Sequence, residues 1–250
     1  MARRLFLAVS ILAVAFFATP STERVGALGD DHHPLYEVTV TNLLRRQVLT
    51  PTVAAVHNAD FRPLFDEGHS IENPSDPATR PEVRPLVEEA DAGPLFDALS
   101  NDPAVRQVKI IQGAQLSGGI IPIYPEGRNK VILPGKSASI TIEAGARERL
   151  LSLIGMLGQT NDSFYALRSI PLPNNNEPDT YYAAAYDAGT EVNNELCAFV
   201  PGAPCGSFGA RALDGEGFVR ISEGIHGVGS LPANLWDWRN PVAKISIRRL

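Results

Sequence analysis

The feature that most constrains how this 250-residue chain can fold is a series of short runs of β-branched and aromatic residues separated by turn formers. The chain contains 21 glycines and 20 prolines spread along its length, which favours many short strands joined by turns. Several runs alternate between apolar and polar residues, as half-buried antiparallel strands do. The pattern predicts an all-β fold, namely an antiparallel β-sandwich of about eight strands. The strand-like runs are Tyr36–Thr41, Val48–Val56, Val105–Ile111, Val131–Leu133, Ala138–Glu143, Leu151–Gly158, Phe164–Ile170, Tyr181–Tyr186, Gly217–Ile221 and Val242–Arg248.

One segment, at about residues 82–100, interrupts this series of strands. Pro85–Gly93 predicts a short helix that ends at Gly93, and Pro94–Leu99 predicts a second helix with proline at its first position. We see no internal repeat and no long low-complexity linker. Residues 28–250 are therefore predicted to form one β-sandwich domain with a helical insertion.

The N-terminus resembles a secretory signal peptide. Arg3 and Arg4 precede the apolar run Leu5–Ala18, which is too short to span a bilayer comfortably, and small residues suited to cleavage follow. We therefore predict a signal peptide over residues 1–27, with an uncertain cleavage site, and a secreted or periplasmic mature protein. No second segment of membrane-spanning length follows in the sequence, so we expect no transmembrane segment in the mature chain.

The charge of the chain argues against nucleic acid as a partner. The formal net charge is −6, and removal of residues 1–27, which carry three arginines and one glutamate, changes it to −6 − 3 + 1 = −8. Nucleic-acid binding needs a basic surface, and neither a basic patch nor a nucleic-acid-binding motif is visible. Acidity is compatible with cation binding, although most soluble proteins carry a net charge in any case.

Two acidic, asparagine-rich loops look like the two halves of one site for a hard cation. They are Thr160–Phe164 and Tyr186–Glu195, and each follows a strand-like run. The chain reverses direction twice between them, through turn formers that include Pro171–Pro178. Asp187 is therefore expected at the same end of the sheet as Asp162.

The residue types in these loops indicate calcium. Calcium takes about six to eight oxygen ligands in flexible geometry, whereas zinc would need the histidine and cysteine that the loops lack. The alternative is that Asp, Asn and Gly occur here only because loops favour them. Asn161 also opens a formal N-glycosylation site, Asn-Asp-Ser. The predicted ligands are Asp162, Asp187 and Glu191 as the anionic core, completed by Asn161, Asn194, Glu195 or main-chain carbonyls.

The two cysteines of the chain are Cys197 and Cys205, just after the second acidic loop. A Pro-Gly pair between them can fold the segment back on itself, so in an oxidising compartment we expect one local disulfide. Metal ligation and nucleophilic catalysis are weaker alternatives, because no histidine is near in the sequence and an exported thiol tends to oxidise.

Two isolated histidines are further candidates for functional residues. His57 follows an apolar strand, and His226 lies in a glycine-flanked loop that can bring an imidazole close to a ligand. An isolated histidine is more often structural than catalytic. A structural role is therefore the first expectation for both.

Five motifs occur in order along essentially the whole predicted mature chain. They are Tyr36–Asn42, Leu49–Pro51 with Val53–His57, Thr160–Phe164, Tyr186–Glu191 with Asn194–Glu195, and Trp236–Asp237 before Pro241–Ile247. Together these motifs resemble the spondin N-terminal domain family. This resemblance implies an extracellular β-sandwich similar to the calcium- and phospholipid-binding sandwich of the protein kinase C type, with calcium held by acidic loops at one end. Asp162, Asp187 and Glu191 fall on the matching loop motifs.

The resemblance implies a non-catalytic role. In animal spondins the domain belongs to matrix and cell-adhesion proteins, where thrombospondin-type repeats usually follow; none is visible here, so a matrix-specific role is not carried over. We predict a secreted calcium-binding module for adhesion or recognition at the cell surface or in extracellular matrix. Its partner would be an extracellular protein, a glycan or a membrane-surface ligand.

The alternative is a metal-dependent extracellular hydrolase, because carboxylates near a metal can activate water. The sequence contains no nucleophile elbow, zinc-protease helix, phosphate-binding glycine loop or Ser-x-x-Lys motif. We therefore assign no catalytic residue and predict that the protein is not an enzyme.

Overall fold

The computed structural model describes residues 33–76, 79–115 and 128–250. In these residues two antiparallel sheets, of four and six strands, enclose a common core, so the predicted β-sandwich is confirmed. The predicted signal peptide, residues 1–27, lies outside the described part of the chain. Among the described helices, none is long and apolar enough to cross a membrane.

The strands are numbered along the chain. They are β1 (Leu35–Asn42), β2 (Thr52–His57), β3 (Val105–Ile111), β4 (Ala114–Gln115), β5 (Lys130–Val131), β6 (Ser137–Glu143), β7 (Leu150–Met156), β8 (Ser163–Pro171), β9 (Asp179–Ala183), β10 (Ala185–Asp187), β11 (Arg220–Ile221) and β12 (Ala243–Arg249). The four-stranded sheet has the order β6-β1-β12-β9, and the six-stranded sheet has the order β11-β10-β8-β7-β2-β3. Strands β4 and β5 form a separate two-stranded ribbon.

Strand β1 shows how an alternating sequence gives a strand with one buried face. Tyr36, Val38 and Val40 are fully buried, while Glu37 and Thr39 between them are only half-buried. Successive side chains of a strand point to opposite faces, so the apolar set faces the core and the polar set does not. The buried set belongs to the main core between the two sheets.

Strand β2 is buried at every position because both of its faces are covered. Ala54 and Val56 belong to the main core between the sheets, whereas Val53 and Ala55 belong to a second core. The second core also contains Leu86 and several other residues of the helical insertion. The insertion therefore covers the outer face of the six-stranded sheet and adds a third layer to the sandwich.

The helical insertion begins with a short 3-10 helix, Pro81–Val83, and continues with α1 (Arg84–Glu89) and α2 (Gly93–Ser100). The predicted end of the first helix at Gly93 is wrong. Buried Ala90 has a φ of 59° and donates its amide to the Leu86 carbonyl, so the chain leaves α1 before the glycine. Gly93 instead begins α2, where proline occupies the next position as expected. A fourth short segment, α3, spans Ala233–Trp236.

The run Tyr181–Tyr186, predicted as one strand, is divided between the two sheets. Its first part is β9, which pairs with β12 in the four-stranded sheet. Its second part is β10, which pairs with β8 in the six-stranded sheet. Ala184 lies between the two strands, so the chain crosses from one sheet to the other there. This crossing delivers the second acidic loop to the start of β8.

Candidate metal centre

The two acidic loops meet at one end of the six-stranded sheet. Asp162 immediately precedes β8, and Asp187 is the last residue of β10. In the antiparallel pairing of these strands Asp187 lies opposite Ser163, next in sequence to Asp162. The Ala188 amide donates to the Asp162 carbonyl across the same junction. Strand pairing therefore brings the two loops together, as the reversals of the chain led us to expect.

Asp162 is completely buried, and only one of its two carboxylate oxygens has donors. Oδ2 accepts hydrogen bonds from the Thr190 amide (2.8 Å), the Thr190 hydroxyl (3.1 Å) and the Glu191 amide (3.0 Å). Oδ1 has no hydrogen-bond partner. Burial, followed by the nearby Asp187 carboxylate, raises the pKa of Asp162 well above its ordinary value. Such an oxygen is costly to bury and suits a cation or a proton.

Glu191 repeats this arrangement on the second loop. Its Oε1 accepts the Ala212 amide at 2.6 Å, while Oε2 is buried and no donor reaches it with hydrogen-bond geometry. Burial raises the pKa of Glu191 to about 8, although the Ala212 amide, Arg211 and the Asn161 side chain oppose the shift. The loops thus carry two buried carboxyl groups, each with one oxygen free to bind an additional group.

Asp187 differs from these two residues because both of its oxygens have donors. Oδ1 accepts the Gly189 amide at 2.8 Å, and Oδ2 accepts the Asn193 side-chain amide at 2.5 Å. The Arg220 guanidinium also lies 3.1 Å from Oδ2. Burial still raises the pKa of Asp187, but the hydrogen bonds and Arg220 oppose the shift. Its negative charge therefore has a counter-charge supplied by the protein.

Glu195 binds main-chain amides. Its Oε2 accepts the amides of Gly227 (2.7 Å) and Val228 (2.9 Å), and its Oε1 accepts the amide of His226. Three amides directed at one buried carboxylate hold the 226–228 turn against the second acidic loop. The contacts of Glu195 are those of a structural anchor, and its predicted role as a calcium ligand stays a prediction.

The predicted asparagine ligands lie at the same junction. Asn161 accepts the Glu195 amide at 3.2 Å through Oδ1 and donates to Asn194 Oδ1 at 3.4 Å. Asn194 Oδ1 also accepts the Leu196 amide at 3.0 Å. Asn161 is only 2% exposed, so the folded domain leaves no room for a glycan on this side chain.

The donor set fits a hard cation only in part. Among the described residues, no group of three or more His, Cys, Asp or Glu side chains could hold a metal ion by itself. The arrangement instead offers two free carboxylate oxygens, on Asp162 and Glu191, with amide and carbonyl oxygens nearby. Calcium accepts such neutral oxygens as ligands, so this set fits calcium better than a metal that requires nitrogen or sulfur.

Sequence reasoning missed the arginines that surround the acidic cluster, which consists of the carboxylates of Asp162, Asp187, Glu191 and Glu195. Arg220 contacts Asp187 from β11, and Arg211 contacts buried Glu88 of α1 at 2.8 Å. Arg211 also donates to the Thr190 carbonyl at 3.4 Å. Both arginines lie in a glycine-rich stretch without a recognisable motif, and only the pairing of β10 with β11 reveals the role of Arg220. No local signal in the sequence identifies them.

A disulfide and an apolar surface flank the acidic loops. Cys197 and Cys205 are bonded to each other, as predicted, and the Cys197 amide donates to the Ser230 hydroxyl at 3.0 Å. Segments that contact the acidic loops expose large apolar side chains. Those side chains are Val192, Leu196, Leu213, Phe218, Ile221 and Val228. Single exposed apolar residues are common on protein surfaces, and these six are notable only because they lie on segments that contact the acidic loops.

The two isolated histidines lie in different environments. His57 is fully buried, with Nδ1 2.8 Å from the Asn58 carbonyl and Nε2 2.9 Å from the Ser152 hydroxyl. The carbonyl can only accept, so Nδ1 donates and Nε2 accepts from the hydroxyl. Burial lowers the pKa of His57, which fits a neutral structural imidazole. The His226 side chain is exposed, and only its main chain contacts the cluster, through Glu195.

Comparison with known proteins adds no assignment. Neither the protein-family models nor the curated proteins contain a match to this chain. The geometry of the acidic loops and the motifs in the sequence are therefore the basis for a proposed function.

Proposed function

We propose that this protein is a secreted, non-enzymatic, calcium-binding β-sandwich module for adhesion or recognition at the cell surface or in extracellular matrix. The observation that carries the proposal is the pair of buried carboxylate oxygens, Asp162 Oδ1 and Glu191 Oε2, that have no partner. Buried polar atoms without a partner are rare in native proteins and often indicate a missing ion or water. Two of them on loops joined by strand pairing favour an ion between the loops.

Asp162 and Glu191 are the anionic ligands in this proposal. Main-chain carbonyl oxygens of the loops would complete the shell, together with the side-chain oxygens of Asn161 and Asn194, which now accept main-chain amides and would have to exchange or share them with the ion. Calcium binding would offset the cost of burying two carboxylates and would hold the two loops together. Asp187 and Glu195 are not ligands in this proposal, because their oxygens already have partners. Asp187 accepts the Gly189 amide and pairs with Arg220, and Glu195 accepts the Gly227 amide.

We also propose that the chain belongs to the spondin N-terminal domain family. The β-sandwich and the junction of the two acidic loops agree with what the sequence motifs imply for that family. The disulfide between Cys197 and Cys205 agrees with an oxidising compartment, secreted or periplasmic, which the signal-like N-terminus also predicts.

The exposed apolar side chains around the loops support recognition of an extracellular protein, a glycan or a membrane-surface ligand. A calcium ion in the acidic site would order the segments that present these side chains. Binding of a partner would then depend on external calcium. The test is binding to a panel of matrix proteins, glycans and vesicles with and without a chelator, and binding that is equal in both would contradict a calcium-dependent recognition role.

Calcium binding itself is tested by calorimetric titration of the chelator-stripped protein. We expect saturable binding with a Kd of about 0.1–1 mM, as in other extracellular calcium modules, and weaker binding of magnesium. Glu191→Gln should weaken calcium binding at least about tenfold, because it removes one of two charged ligands. Glu37→Gln is the matched control, since Glu37 is a half-buried residue of β1 that pairs with Arg248 in the other part of the sandwich. Absence of saturable calcium binding by the wild-type protein would exclude the proposed function.

A further inference from the structure

Arg220 brings a fixed positive charge to the edge of the acidic cluster. Its Nη2 lies 3.1 Å from Asp187 Oδ2 and 2.7 Å from Glu216 Oε1, and its Nη1 lies 3.1 Å from Glu223 Oε1. One guanidinium thus contacts three carboxylates. Asp187 is the only buried member of the three, with 1% of its side chain exposed.

Strand register fixes this contact. Arg220 of β11 lies directly opposite Asp187 of β10, in the antiparallel pair at the edge of the six-stranded sheet. Residues directly opposite each other in such a pair have adjacent side chains. The contact between Arg220 and Asp187 is therefore built into the sheet, and a flexible surface arginine would not have this constraint.

The carboxylates of the cluster divide into two kinds. Asp162 and Glu191 each keep one oxygen without a partner. Asp187 has donors on both oxygens and a guanidinium on one of them. The guanidinium is permanently charged at any physiological pH, so it neutralises Asp187 whether or not calcium is present.

We propose that Arg220 is a tethered cation that takes the place of a second metal ion beside Asp187, and thereby limits the acidic site to a single calcium ion. The inference rests on the proposed calcium function and specifies its stoichiometry. A divalent ion at Asp187 would meet the positive charge of Arg220 at short range. Repulsion between like charges opposes such binding, and it is strongest where water is excluded. Calcium is therefore directed to the free oxygens of Asp162 and Glu191.

The test is calcium titration of Arg220→Gln by calorimetry, with equilibrium dialysis to count bound ions. The wild-type protein should bind one calcium ion. Arg220→Gln should bind a second ion beside Asp187, because the variant removes the positive charge that repels a divalent ion there. Arg220→Lys keeps the charge and should behave as the wild type.

Arg168→Gln is a matched control. Arg168 of β8 also pairs with two carboxylates, those of Asp66 and Glu67, but it lies about 20 Å along the strand from Asp162. This variant should leave the stoichiometry and affinity of calcium binding unchanged. A change equal to that of Arg220→Gln would show a general effect of net charge and would overturn the inference.

A double variant, Asp187→Asn with Arg220→Gln, covers the case in which Arg220→Gln fails to fold. It removes both charges of the pair at no change in net charge, and it should bind one calcium ion with wild-type affinity. A loss of affinity greater than tenfold would make Asp187 a calcium ligand and overturn the inference. Two calcium ions in the wild type, or unchanged calcium binding in folded Arg220→Gln, would also overturn it. If neither the wild type nor Arg220→Gln binds calcium, the proposed function itself fails, and the inference with it.

Discussion

Replacement of Asp162 by asparagine should remove the stabilisation by calcium and leave the calcium-free protein nearly unchanged. Burial raises the pKa of Asp162 well above its ordinary value, so burial disfavours the charged form of this carboxyl group when calcium is absent. A protonated aspartic acid and an asparagine have similar size and no charge. The side-chain oxygen of asparagine can still accept the amides of Thr190 and Glu191, which now bond to Oδ2. We therefore expect the calcium-free variant to lie within about 1 kcal/mol of the wild type.

Calcium separates the two proteins by an amount that follows from mass action. A ligand that binds only the folded state at 10 mM with a Kd of about 0.1–1 mM adds about 1.4–2.7 kcal/mol to the free energy of unfolding. For a domain of this size, 1 kcal/mol corresponds to about 2–4 °C in melting temperature. Calcium should therefore raise the Tm of the wild type by about 3–11 °C. The Tm of Asp162→Asn should change by less than about 1 °C.

The assay is differential scanning calorimetry in chelator, in 10 mM calcium and in 10 mM magnesium. Asp66→Asn serves as the control, because Asp66 is a half-exposed aspartate that pairs with Arg168 at the surface. It should keep the full response to calcium. An unchanged Tm of the wild type in calcium, or equal stabilisation of Asp162→Asn and the wild type by calcium, would contradict this prediction.

Three further predictions concern pH and the disulfide. Burial raises the pKa of Glu191 to about 8, so below that pH calcium must displace a proton from this carboxyl group. Calcium titrations between about pH 6 and 8 should therefore show the affinity for calcium rising by up to tenfold per pH unit, and an affinity that does not depend on pH would contradict this. Burial lowers the pKa of His57, so as the pH falls below about 6.5 this histidine takes up a proton in the unfolded chain before it does so in the folded protein. Urea denaturation should therefore show the free energy of unfolding falling by up to about 1.4 kcal/mol per pH unit, and His57→Asn should lose this dependence. Joint replacement of Cys197 and Cys205 by serine should lower the free energy of unfolding by about 2–3 kcal/mol, because the disulfide restricts the unfolded chain by closing a loop with a sequence separation of 8. Chemical denaturation measures this difference, and a variant as stable as the wild type would contradict the prediction.

Much of the fold was readable from the sequence because strand signals are local. The alternation in Tyr36–Thr41 and the run Val105–Ile111 appear in the structure as β1 and β3 with nearly the same bounds. The end of the first helix was not readable, because a buried Ala90 in the left-handed conformation turns the chain where glycine would be expected. The division of Tyr181–Tyr186 between two sheets also escaped prediction, since either half alone is a good strand sequence and only packing assigns each to its sheet.

The residues that could form a cation site can be identified without the structure, because Asp, Glu and Asn on two loops are the oxygen donors that such a site needs. Which carboxylates keep a free oxygen depends on how the folded chain arranges the donors around them. Asp162 and Glu191 keep one each, whereas Asp187 meets Arg220, which is 33 residues away in sequence and directly opposite in the sheet. The physical reason is that burial, amide donors and counter-charges come from distant segments. They raise or lower the cost of each charge only when strand register has brought those segments together.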